Sequence, residues 1–157
     1  MNYEIPLPLK QEHEALHDQL RQATQAGGEV GELAKTLVRL MHAHFVKEDQ
    51  IALPPLGLLV ALSSGDVTPE MAGVLALTDQ LEVELPAMLA DHQTIVDALQ
   101  QLRDAAKRAE RSEIVDFAQQ LIQHAHTEEE VMYPAAILVG KFVRQRMSQP
   151  KSAAQAP

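Results

Sequence analysis

The sequence predicts an all-α protein, an antiparallel up-down four-helix bundle built from two similar helical hairpins. Three observations predict it. Long stretches rich in Ala, Leu, Gln, Glu and Lys lack both Gly and Pro. No segment alternates with period two while carrying β-branched or aromatic enrichment. Apolar residues recur at steps of three and four along four separate stretches. The 157 residues suffice for one domain with a real core, assigned to residues 1–147. Residues 148–157, small, polar and proline-containing, are expected to be a disordered tail.

The first helix is expected from about Leu9 to Gln25, ending at Gly27-Gly28, with Leu9, His13, Leu16 and Leu20 facing inward. The second runs from about Glu29 to Leu53, where Pro54-Pro55 interrupts it. Its inward stripe is Leu33, Leu37, Leu40, His44, Glu48 and Ile51. Leu56 to Leu62 reads as a helical extension closed by Ser63-Ser64-Gly65-Asp66. Thr68 is an N-cap candidate with Pro69 at the first helical position. The third helical region, kinked or interrupted near Pro86, continues to about Ala109 with Leu81, Leu85, Met88, His92, Ile95, Leu99 and Leu102 inward. Ser112 is expected to cap the fourth, which reaches Pro134 and resumes to about Met147. Its stripe is Ile114, Phe117, Leu121, His124, Glu128 and Val131. The segment 51–88 is more apolar than a connection needs, and could cover the bundle end or make a homodimer contact.

The two halves repeat. Glu12-His13 is echoed by Asp91-His92, and His44…Glu48…Pro54 by His124…Glu128…Pro134, each about 80 residues on. Four inward stripes therefore each carry a histidine, and two of them a carboxylate one turn later. Residues at i and i+4 share a helix face. Four imidazoles (His13, His44, His92, His124) and two carboxylates (Glu48, Glu128) thus converge from four helices.

Composition removes several alternatives. The chain has no cysteine, which excludes disulfides, thiolate zinc sites and iron–sulfur clusters. A net charge of −9 disfavours nucleic acid. No basic-then-apolar leader opens the chain, and the apolar stretch 51–64 is too short to span a bilayer. A cytoplasmic domain with no membrane partner is the expectation.

Two carboxylates among leucines cost several kcal/mol per ion unless positive charge neutralises them. No Lys or Arg occupies the inward stripes. Protonated histidines can supply that charge; a pair of metal ions does so better. Mixed imidazole and carboxylate donors suit iron, manganese or zinc. A lone histidine on an apolar face is an ordinary core residue, and a single HxxxE says little. The doubled set, in register with the stripes and each copy six residues before a proline, is what points to metal. Two other motifs fail. His13-Glu14-Ala-Leu-His17 spells the zincin HExxH but sits in an all-α chain. Glu14-Ala-Leu-His17 spells the ferritin ExxH, yet no other histidine has a Glu three residues before it among His92, His124 and His126. His17, one turn beyond His13, is within reach of the same centre as a fifth imidazole. His42 and His126 fall about 200° around their helices from His44 and His124 and are expected to face solvent.

With these residues in view, the chain resembles the hemerythrin-like, or HHE cation-binding, domain family. The resemblance rests on Glu12-His13, His44 to Asp49 and Pro54, Asp91-His92, and His124 through Glu128-Glu129, Met132, Tyr133 and Pro134. It covers about residues 5–145, and departs at Asp49, where the second acid is often Glu. The resemblance implies a hemerythrin-like bundle with an oxo- or hydroxo-bridged centre of two iron ions. It makes His13, His44, His92 and His124 terminal ligands and Glu48 and Glu128 bridges. Two coordination positions then stay open, or one if His17 also binds.

Leu16, Leu40, Ile95, Leu99 and Leu121 would make that pocket dry and leave it without an acid or base. This favours binding O2 or a similar diatomic for storage, scavenging or sensing. A di-iron redox enzyme consuming peroxide or nitric oxide is the alternative, and a metal-free helical interaction module the third reading. Repair of iron–sulfur clusters ranks low because no cysteine-bearing segment is present.

Overall fold

The computed structural model describes residues 3–149, so from Pro150 onward the expected tail lies outside the described residues. All regular structure among them is helical, carried by four main helical segments consistent with a four-helix bundle. Among the described residues no helix is long and apolar enough to cross a membrane.

Helix α1 (Leu7–Ala23) starts after Pro6 with Pro8 in its first turn, where a missing N–H costs nothing. Gly27 and Gly28 follow with φ of 71° and 56°, a region that penalises any residue with a Cβ. Helix α2 (Gly28–Lys47) then runs directly into a π turn, Glu48–Ala52, in which Leu53 N–H bonds back to the Glu48 carbonyl at 2.9 Å. A 3₁₀ segment, Pro54–Leu58, leads into the short helix α3 (Leu59–Ser63). Thr68 is extended as an N-cap should be, but its side chain makes no cap bond to the 3₁₀ turn Pro69–Gly73. Helix α4 (Val74–Arg108) follows without a break.

The expected interruption at Pro86 does not occur. Pro86 is exposed, and the helix carries the loss of one hydrogen bond because Leu81 and Met88 are fully buried on either side. Helix α5 (Ser112–Thr127) is preceded at its N-cap position by Arg111, not by Ser112, which is its first residue. A second π turn, Glu128–Met132, joins it to helix α6 (Tyr133–Ser148).

The two π turns share one cause. Pro54 and Pro134 cannot donate, and their rings crowd the carbonyl four residues back. Widening the preceding turn to i→i+5 bonding relieves the crowding. The widening also shifts the apolar stripe. Val131, expected inward, is 58% exposed, whereas Met132 and Tyr133 are buried. On α2 the stripe also differs from expectation: Leu40 faces solvent and Met41 is buried in its place.

The core divides into layers. Leu16, Leu20, Leu37, Leu99, Phe117 and Leu121 fill one part of the bundle. Ile51, Leu53, Leu81, Met88, Met132 and Tyr133 fill the next. Beyond them Leu58, Met71 and Val74 of the apolar connection pack on Val139 and Val143 of α6. The connection thus covers α6. The chain's beginning crosses it: Tyr3 hydroxyl donates to the Glu70 carbonyl at 2.9 Å, and Gly57 leaves no room for a Cβ against the Glu4 backbone.

Candidate metal centre

His13, His44, Glu48, His92, His124 and Glu128 are all buried, between the first two apolar layers. Each histidine arrives on the inward stripe of α1, α2, α4 or α5, and each glutamate opens one of the π turns. The structure brings these six together in two groups that share Glu128. His44, Glu48, His92 and Glu128 form one; His13, His124 and Glu128 form the other.

The distances describe a compact polar knot. Glu128 Oε1 lies 2.9 Å from His124 Nε2 and 3.3 Å from His13 Nε2, and its Oε2 lies 3.3 Å from His92 Nε2. Glu48 Oε1 lies 3.1 Å from His44 Nε2. The Nε2 atoms of His13 and His124 face each other at 3.0 Å.

Two imidazoles are oriented from outside. His92 Nδ1 donates to Glu129 Oε1 at 2.9 Å, and His124 Nδ1 donates to Glu12 Oε1 at 3.1 Å. Donation from Nδ1 turns each Nε2 toward the centre, the arrangement that prepares a histidine as a ligand.

Without a cation the knot must find its own positive charge. Burial lowers the pKa of His92, but hydrogen bonds to Glu128 and Glu48 outweigh it and push it up to about 10. His124 is likewise opposed by burial and raised to about 9 by Glu128 and Glu12. His13 rises for the same reasons, burial being overcome by its bond to Glu128 and the charge of Glu48. Burial works to raise Glu128, yet its bonds to His124, His13 and His92 hold it well below the ordinary carboxylate range.

Protonation still leaves polar atoms unanswered. His44 Nε2, although 3.1 Å from Glu48 Oε1, is not aligned to hydrogen bond with it, and His44 Nδ1 and Glu48 Oε2 are likewise buried without a hydrogen-bond partner. Native interiors rarely tolerate such groups unless an ion or water satisfies them. Two of these atoms, one imidazole nitrogen and one carboxylate oxygen, are of the donor types that bind a borderline metal ion. The cluster fits a metal site.

His17 is placed differently. It is exposed, its ring centroid 4.0 Å from that of Phe45, and it belongs to neither group. His42 and His126 are exposed, as expected. Of the residues expected to keep the pocket dry, Leu16, Ile95, Leu99 and Leu121 are buried in the adjoining core layer, whereas Leu40 is exposed. His13 borders a cleft of about 1010 Å³ whose lining includes Tyr3, His17, Asp49 and Pro54.

One residue was missed by sequence reasoning. Tyr133 is fully buried, and its hydroxyl donates to Glu48 Oε1 at 2.6 Å while lying 3.2 Å from His92 Nε2. The site therefore does contain a protic group. Burial and the charges of Glu48 and Glu128 raise its pKa, so the phenol keeps its proton. The signal was available: Leu53 holds the corresponding place before Pro54, so the two halves differ in polarity there.

The family model for the hemerythrin HHE cation-binding domain matches residues 8–136. The chain belongs to that family. The matched span contains all six converging residues as well as Tyr133. No curated protein and no solved structure gives a significant match. In this HHE domain the cation-binding character of the family and the buried His/Glu cluster coincide.

Proposed function

We propose that this HHE domain holds a non-haem di-iron centre and binds O2 or a similar diatomic ligand as a store, scavenger or sensor. The observation that carries the reading is the pair of buried carboxylates ringed by four imidazoles, with His44 and Glu48 atoms left unpartnered. His13, His44, His92 and His124 would be terminal ligands, and Glu48 and Glu128 would bridge. The reading takes the bundle as antiparallel and built from two hairpins, which gives the centre its approximate two-fold character. It takes the domain as cytoplasmic, without nucleic-acid or membrane partners.

Iron in such a site supplies one-electron redox chemistry and a coordination position for a small ligand; manganese and zinc suit the same donors. The chain's own residues do the rest. Leu16, Ile95, Leu99 and Leu121 exclude water. Glu12 and Glu129 hold two imidazoles in the ligating tautomer. Tyr133 holds a proton on its hydroxyl, shared with Glu48 Oε1.

Tyr133 also favours a second reading, a di-iron redox enzyme consuming peroxide or nitric oxide, because a buried phenol can deliver a proton that a purely apolar wall cannot. Metal content per chain on protein grown with iron, with an absorption spectrum in air, tests the shared premise. Two irons with a near-ultraviolet charge-transfer band are expected. No stoichiometric metal would sink both readings and leave the interaction module. A spectral change that reverses when O2 is removed supports the binder, and rapid peroxide turnover supports the enzyme.

A further inference from the structure

Glu14 follows His13 in the chain, and Asp49 follows Glu48. A helical step of about 100° carries the residue after an inward one toward the rim. Both acids accordingly are exposed, and both line the cleft of about 1010 Å³ beside α1. Glu4 and Asp18 line it too, against one lysine, Lys10. Asp18 is paired with Arg21, whereas Glu4, Glu14 and Asp49 form no ion pair among the described residues. His17 on the same wall adds no fixed positive charge, because desolvation and then the neighbouring His13 lower its pKa.

Surface acids alone do not mark a path; the second observation is the residue at the inner end of the cleft. His13 is only 6% exposed, yet it belongs to the cleft's lining. Both of its polar contacts use Nε2. Its Nδ1 has no partner among the described residues and, unlike the two nitrogens of His44, is not sealed from solvent. A cation arriving through the cleft therefore meets an open nitrogen of the centre. The groove that reaches His124 is different: Gln19, Gln119, Gln120 and Gln123 line it, and its acid, Glu12, is bonded to His124 Nδ1.

We propose that the cleft beside α1 is the path by which divalent cations reach the buried centre, with Glu14 and Asp49 drawing them in and His13 the first residue of the centre they meet. The inference rests on the metal-centre reading above and adds to it the face through which the ion enters. A cleft lined by one sign of charge concentrates counter-ions and raises their on-rates by about 10–10³-fold.

The test is the rate at which metal-free protein takes up Co(II), followed by visible absorption after rapid mixing. Salt is varied from about 0.01 M to about 1 M, over which the screening length falls from roughly 30 Å to 3 Å. Uptake by the parent protein should slow as salt rises. Glu14→Gln with Asp49→Asn leaves Glu4 against Lys10, so uptake at low salt should slow by about tenfold and lose most of its salt dependence. The final amount of Co(II) bound should stay the same. Glu113→Gln with Asp116→Asn removes the same charge from a groove at the other end of α1, beside Gln22 and Ala26, and should leave the rate unchanged. Circular dichroism shows whether each variant keeps the fold. An unchanged rate in the Glu14/Asp49 variant overturns the inference, as does equal slowing by both pairs, and either result leaves the metal-centre reading standing. No Co(II) bound by the parent protein at equilibrium overturns that reading and the inference with it.

Discussion

The Tyr133 hydroxyl donates to Glu48 Oε1 at 2.6 Å, across 85 residues of sequence, and so ties the end of the second half to the carboxylate of the first. The contact exists because of the π turn Glu128–Met132, which bonds five residues back instead of four and brings Tyr133 round to the side of Glu128. Glu48 Oε1 is thereby satisfied, whereas its Oε2 has no partner. Tyr133→Phe removes the donor and leaves a buried carboxylate with less compensation. The metal-free variant should lose about 1–3 kcal/mol. A cation at Glu48 takes over part of that role, so the loss should shrink in metal-loaded protein. Denaturant unfolding of both forms checks this, and equal losses in the two would contradict a cation at Glu48.

Glu128 is the one residue common to both groups, its Oε1 near His13 and His124 and its Oε2 near His92. Glu128→Ala should therefore abolish retention of two metals per chain. His44→Ala, which alters one group alone, should leave a single ion measurable. Elemental analysis after desalting decides; two full equivalents on Glu128→Ala would refute a shared carboxylate.

Much of this arrangement was legible in the sequence, for a reason that also marks the limit. The i, i+4 spacing and the steps of three and four fix which residues share a helix face, so His13, His44, Glu48, His92, His124 and Glu128 could be gathered without coordinates. That arithmetic assumes α-helical rotation throughout. It fails where the backbone widens, which is why the inward stripe of the fourth helix was carried to Val131 and did not include Tyr133. Pro86 shows the opposite limit. Local chemistry argued for a break, and the packing of Leu81 and Met88 overrode it. The orientation of His92 by Glu129 and of His124 by Glu12 depends on side-chain reach, which residue spacing does not encode.

The pH dependence of the metal-free protein follows from the histidines. His92 and His124 are raised in the folded chain to about 10 and about 9, from an ordinary value of 6.5. Folding therefore favours their protonated forms. That stabilisation is complete below about pH 6.5 and fades as pH rises toward 9 and 10. Glu128 is depressed, so its contribution is present above its ordinary value of 4.5 and is lost as pH falls through its lower folded pKa. The thermal midpoint of chelated protein should fall between pH 6 and pH 10. Metal-loaded protein should behave oppositely and release its ions on acidification, as protons compete for the imidazoles. Retention of metal below about pH 5 would count against histidine ligation.

Glu110, between α4 and α5, has φ of 55°, the one non-glycine residue in the left-handed region among the described residues. The Arg111 N–H bonds to the Ala106 carbonyl at 2.8 Å and closes the C-terminus of α4. Glycine is the residue that adopts this conformation freely. Glu110→Gly should stabilise the protein by roughly 0.5–1 kcal/mol with metal binding unchanged. A lower midpoint in thermal unfolding would show that the Glu110 side chain contributes more than its backbone strain costs.

Gly140 lies where α6 crosses α4, and the approach is close enough to demand glycine. A Cβ there would sit 2.6 Å from the Thr78 Cβ, far inside van der Waals contact. Thr78 is buried and branched at that carbon, so no rotation of its side chain clears the space. The helices must separate instead, and Val139 and Val143 beside the contact are both buried in the layer with Met71 and Val74. Overpacking of this kind costs about 1–3 kcal/mol. Alanine's better helix propensity recovers roughly 0.8–1.0 kcal/mol of that at most. Gly140→Ala should therefore lower stability, and Thr78→Gly in the same chain should restore part of the loss by removing the Cβ that is struck. The metal centre lies in other layers, so cation stoichiometry should survive both changes. A Gly140→Ala protein with an unchanged unfolding midpoint would mean that α6 can shift on α4 without cost, and that the layer around Val139 is looser than its burial implies.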